Sequence, residues 1–198
     1  MRRPEAAPLI AGLRLVASRS RMEDVMGWTE ILEREIAYTY GATDSLMKLV
    51  DDDKLDWKPP VPNDGAGTGW MTTGQLLRHI TDACGACCKA FATNDWSIMG
   101  APPAEGEEPA PMPSSASVQE ARDALAKDKD LALATVRAAG DARMDDEKVT
   151  APWGIEGKLG EQFLDMVKHL GQHKGQLFYY LKMQGKPVHT GHLWGMEG

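Results

Sequence analysis

Apolar residues recur at spacings of three and four along four stretches of the chain, which predicts four amphipathic helices, and nothing reads as a convincing run of strands. The first stretch, from about Glu23 to Val50, carries Val25, Trp28, Ile31, Leu32, Ile36, Leu46, Met47 and Val50. Gly41 lowers its helix propensity by up to about 1 kcal/mol relative to Ala. The acidic run Asp51-Asp52-Asp53 should end it, because negative charge opposes the dipole at a helix C-terminus. The loop LDWKPPVPNDGAGTG follows, broken by Pro and Gly. Thr72 with Gln75 then forms a capping-box pattern that opens a second helix. That helix is expected to run unbroken through Leu76, Leu77, Ile80, Ala83, Cys84, Cys87 and Phe91.

Residues 97–117, rich in Pro, Ala, Gly and Glu, read as a linker or surface loop. Ser117 with Glu120 forms another capping-box pattern and opens a third helix that turns Val118, Ala121, Leu125, Ala132, Val136 and Ala139 inward, and Gly140 is placed to stop it. Residues 141–158 read as loop. The fourth helix runs from about Glu161 to Gln184 with Phe163, Met166, Val167, Leu170, Leu177, Tyr180 and Leu181 on its core face. Lys182, Gly185 and Pro187 form its terminator. The predicted fold class is therefore all-α, a four-helix bundle over residues 22–198, with residues 1–21 expected to be a disordered extension.

Composition narrows the function classes. The chain has 198 residues and a net charge of −7, with no basic run to neutralise phosphates, so it is not read as a nucleic-acid binder. No stretch approaches the roughly 20 apolar residues that cross a bilayer. Cys84, Cys87 and Cys88 are an odd count on one short segment, which points to a reducing compartment and a cytoplasmic protein. They also lack the βαβ setting of a redox pair, so packing is their expected role.

The chemistry lies in the histidines. His169 and His173 stand four apart on the fourth helix, an offset that returns a side chain to within about 40° one turn on. They flank Met166, Leu170 and Leu177, so they should face the bundle interior, and His79 stands beside Ile80 on the second helix. Bundles build metal sites from facing helices in this way. Residue logic alone leaves two readings open: three ligands of one divalent transition metal, or three hydrogen-bonded core histidines.

The strings LDWKPP, TTGQLLRHI and HLGQHKGQLFYYLKMQGKPV resemble the DinB/YfiT-like proteins, over a span from about Glu23 to the C-terminus. The resemblance implies an up-down-down-up bundle, often dimeric, that binds nickel, zinc or a similar metal through one His on the second helix and a His-x-x-x-His pair on the fourth. Those ligands are His79, His169 and His173. Three His ligands leave a coordination position open for water or a thiol. The intervening Leu170-Gly171-Gln172 excludes an HExxH peptidase and supplies no general base, so no catalytic residue is assigned. Asp165, one turn before His169, is expected to be a surface carboxylate rather than an orienting group. His189 and His192 are expected in a surface tail, with His192 not required as a fourth ligand.

The resemblance also implies chemistry on a small-molecule substrate: transfer to or from a low-molecular-weight thiol, or metal-assisted hydrolysis. The alternatives are a bundle that the metal merely stabilises, a stress-associated binding module, or a plain helical interaction domain.

Overall fold

The computed structural model describes residues 26–60, 69–100 and 111–197; the expectations for residues 1–21, for the start of the first helix and for much of the two Pro/Gly-rich loops lie outside them. Helix α1 spans Trp28–Met47, α2 Thr73–Ile80, α3 Gly85–Thr93, α4 Val118–Asp146, α5 Leu159–Met183 and α6 Thr190–Leu193. A two-stranded antiparallel hairpin, β1 Lys148–Thr150 and β2 Glu156–Lys158, lies between α4 and α5.

Side-chain pairs fix the helix directions. Trp28 and Asp44, near the two ends of α1, bond Asp145 and Arg122 of α4, so α1 and α4 are antiparallel. Gly85 and Ala92 meet Asp128 and Arg143, so α3 runs with α4. Gln184 donates to Thr73 while His169 reaches Ala83, so α2 and α3 run against α5. With α2 and α3 together filling one position, the order is up, down, down, up.

The predicted core faces are the buried ones. Leu32, Ile36, Leu46 and Met47 of α1, Leu76, Leu77 and Ile80 of α2, Cys84, Cys88 and Phe91, and Phe163, Leu170, Leu177 and Leu181 of α5 form one hydrophobic cluster. The Thr72 capping box forms, Thr72 accepting from the Gln75 N–H at 3.2 Å and Gln75 from the Thr72 N–H at 2.8 Å, whereas the box expected at Ser117 forms by half: Ser117 accepts from the Glu120 N–H at 3.0 Å, but the Glu120 carboxylate accepts from the Ala116 N–H.

Four expectations need correction. The second helix is broken at Thr81–Cys84, because the buried Asp128 carboxylate of α4 accepts the Gly85 and Ala86 N–H groups and starts a new helix there. Gly140 breaks the helix as expected, with φ 69° and ψ 161°, but the residues directly after it, expected as loop, form a further helical segment to Asp146, with Met144 buried and Arg143 donating to the Ala92 carbonyl. The stretch 141–158 holds the hairpin, whose three-residue strands are too short to show a period. The tail carries α6, pinned where Lys174, buried in α5, donates to the Leu193 carbonyl at 2.9 Å.

Among the described residues, no helix is long and apolar enough to cross a membrane.

Candidate metal centre

His79 lies in the last turn of α2, and His169 and His173 lie one turn apart on the face of α5 that meets α2 and α3. The antiparallel packing of these elements brings the three rings to one point. His173 Nε2 stands 2.8 Å from His169 Nε2 and 3.0 Å from His79 Nε2, and one ring nitrogen from each residue lies within 4.8 Å of the others. All three rings are half-buried, so the cluster keeps a side toward solvent.

The outward nitrogens decide what the inward ones are. His169 Nδ1 faces the Ala83 carbonyl at 3.2 Å, and His173 Nδ1 faces the Gln176 Oε1 at 3.0 Å. An oxygen acceptor requires an N–H, so each ring carries its hydrogen on Nδ1 and presents a bare Nε2 lone pair. Two bare lone pairs at 2.8 Å repel unless a cation lies among them. Burial, above all, lowers the pKa of His79, with the charge of His169 adding to it; burial likewise pushes His173 down to about 4. Near neutral pH His79 and His173 are therefore uncharged donors. Ligands of one tetrahedral ion at about 2.0–2.1 Å stand roughly 3.4 Å apart, so small ring movements fit the set to such a cation. Imidazole nitrogen suits zinc, nickel and similar ions alike.

A second group, His189, His192 and Glu197, has the opposite polarity. The Gly191 N–H donates to His189 Nδ1 at 3.2 Å, and the His189 N–H donates to His192 Nδ1 at 3.3 Å. Their hydrogens therefore sit on Nε2, aimed at Glu197, with His189 Nε2 3.1 Å from it. His192 Nε2 lies farther from Glu197, at 3.8 Å, and His192 belongs to this cap on α6 rather than to the three-His cluster.

The other candidates fall where packing puts them. Asp165 pairs with Lys168 on the surface at 2.9 Å and does not hold His169. Cys84, Cys87 and Cys88 are all buried, and burial, first among several causes, pushes Cys87 up to about 12, far from thiolate chemistry. The two groups that orient His169 and His173, the Ala83 carbonyl and Gln176, were not foreseen from the sequence. Gln176, three residues past His173, was within reach of helical spacing. The Ala83 carbonyl was not, because it is exposed only by a helix break with no local signal.

Comparison with known structures agrees with this fold. A DinB-like protein from Bacillus subtilis superposes with a TM-score of 0.58 at 14% identity, covering 80% of this chain and 94% of that one. A DinB-like protein from Bacillus cereus gives 0.59 at 14% identity, covering 80% and 93%. No curated protein matches the sequence. The sequence profile of the DinB superfamily matches residues 35–177, a span that holds all three histidines. The chain belongs to the DinB superfamily.

Proposed function

We propose that this protein is a metal-dependent enzyme whose His79, His169 and His173 hold one divalent transition-metal ion, nickel, zinc or similar. It would act on a small electrophilic molecule, by transfer to a low-molecular-weight thiol in preference to hydrolysis. The observation that supports the reading is the pair of bare Nε2 atoms turned toward each other by fixed Nδ1–H partners. Such an ion supplies Lewis acidity and lowers the pKa of a bound thiol or water.

Thiol transfer is favoured by what surrounds the cluster. The nearby Asp82 is engaged by Arg78 at 2.5 Å, and Tyr180 donates its hydroxyl to the Met71 carbonyl at 3.0 Å. Neither of these two groups is free to take a proton from water. A thiol needs less help: its sulfur forms the new bond to carbon, the leaving group departs with its electron pair, and the proton goes to solvent. The half-buried rings and their Nδ1 partners hold the donors in place. The reading includes a cytoplasmic location and a homodimer, the latter favoured by Tyr179 and Met183, exposed one turn apart on α5.

Metal analysis of tag-free protein tests the site: one equivalent is expected in the parent and little in His173→Ala. Turnover of a thiol and electrophile panel, lost with chelation and restored by metal, is the expected activity. Chelation that unfolds the protein, with no turnover in any pairing, would leave the metal a purely structural role.

A further inference from the structure

The break between α2 and α3 carries a consequence for His169. In an unbroken helix the Ala83 carbonyl would accept the N–H four residues on and point along the axis. Here the ladder of α3 begins at Cys84, whose carbonyl accepts from Cys88 at 2.8 Å, and the Ala83 carbonyl is released toward α5, where His169 Nδ1 takes it. What holds the break open is a buried carboxylate from another helix. Asp128, 6% exposed, accepts the Gly85 N–H at 2.8 Å on Oδ2, the Ala86 N–H at 2.8 Å on Oδ1, and the Tyr40 hydroxyl at 2.6 Å on Oδ2. The Tyr40 oxygen in turn lies 3.1 Å from the Gly85 nitrogen. Neither Cys84 nor any local side chain caps α3. The approach also demands glycine at 85, since a Cβ there would stand 2.1 Å from the Asp128 carbonyl oxygen.

We propose that Asp128, supported by Tyr40, is a positioning residue for the metal site: by capping α3 it keeps the Ala83 carbonyl in place and so fixes His169 with its Nε2 bare. The inference rests on the three-histidine cluster holding a divalent cation. Asp128 touches none of the ligands. Its influence runs through one backbone carbonyl, which separates it from a general contribution to folding.

The test uses full-length, tag-free protein with Zn²⁺ and Co²⁺ as probes. Asp128→Asn offers one carbonyl oxygen where three donors converge. With thermal unfolding used to establish that the apo variant is folded, its Zn²⁺ affinity, measured by chelator competition, should fall about 10- to 100-fold, the usual effect of losing an outer-shell partner. Tyr40→Phe spares both backbone caps, remains available should Asp128→Asn not fold, and should lose about threefold, a smaller share of the same effect. In a His169→Ala background both losses should vanish, because the affected ligand is gone. Long-range ¹H–¹⁵N spectra of the apo protein should show the His169 hydrogen on Nδ1 in the parent and divided between the two nitrogens in Asp128→Asn. Unchanged affinity and tautomer in a folded variant would overturn the proposal, as would a loss that persists undiminished without His169. If the parent binds neither ion, the metal-site reading fails, and the tautomer comparison still decides whether Asp128 sets the ring.

Discussion

Replacing Gln176 tests the ligand geometry without touching a ligand. Its Oε1 takes the His173 Nδ1–H at 3.0 Å, and its amide nitrogen is 3.4 Å from the Tyr180 hydroxyl. In Gln176→Ala nothing holds that hydrogen on Nδ1. His173 can then move it to Nε2 and donate to His169 or His79, which lie 2.8 and 3.0 Å away. The metal-free cluster thereby becomes a relaxed hydrogen-bonded group, and binding must reverse the change. A neutral hydrogen bond contributes about 0.5–1.5 kcal/mol net, a factor of roughly 2 to 13 in affinity, and the adverse lone-pair contact relieved in the apo state adds to it. The expected loss is about tenfold, within the range usual for outer-shell partners. Gln176→Glu separates this account from simple disruption, since a carboxylate keeps the acceptor and makes the imidazole a better donor to the ion. It should bind Zn²⁺ at least as tightly as the parent in chelator competition at pH 7.5 and fixed ionic strength. Gln176→Ala within twofold of the parent, or Gln176→Glu weaker than Gln176→Ala, would refute the argument.

Gly85→Ala should lower stability by about 1–3 kcal/mol in urea unfolding, because the obstructing atom is backbone and cannot rotate away; an unchanged midpoint would show that α3 and α4 are not so closely apposed. Asp141 accepts from the Thr29 hydroxyl at 2.6 Å and the Thr29 N–H at 2.7 Å, and these bonds, side chain first, hold its carboxyl below the usual range. A depressed folded-state pKa contributes stability above the ordinary value near 4 that is lost as pH falls through the folded one; the acid limb of the unfolding curve should flatten in Asp141→Asn, and an identical acid limb would count against the bond. Lys174→Met keeps the volume of a buried cation that has no carboxylate partner among the described residues but removes its bond to the Leu193 carbonyl. The unfolding midpoint should hardly move while limited proteolysis after residue 186 speeds up, and equal cleavage rates would mean the tail is held by its other contacts.

The four helical core faces were legible because 3.6-residue periodicity is a local property, and the His169–His173 pair was legible for the same reason. His79 was placed by its helix and, with the pair, by family likeness. Helix ends were legible only where the cap is local, as at Thr72 and Ser117. Two others are capped from across the bundle, Asp141 on Thr29 in the first turn of α1 and Asp128 on Gly85 and Ala86, and Asp52 adds a bond to Val118 at 2.7 Å at the end that Ser117 caps. Nothing in Thr81-Asp82-Ala83-Cys84 itself interrupts a helix, and the residue responsible lies 43 positions beyond Gly85. Gly140 was a legible stop, since it breaks the helix, whereas the helical segment beyond it is held by distant contacts, with Met144 buried and Arg143 donating to the Ala92 carbonyl.

His79 and His173 are separated by 94 positions along the polypeptide and meet only when the last long helix docks. On a ribosome, the first donor emerges long before its two companions exist. Translation products that end before residue 169 hold only His79 of the three, and those that end before residue 173 lack the full set. Because a ligand favours whichever state recognises it, an ion held as proposed would selectively stabilise copies in which the last long helix has docked.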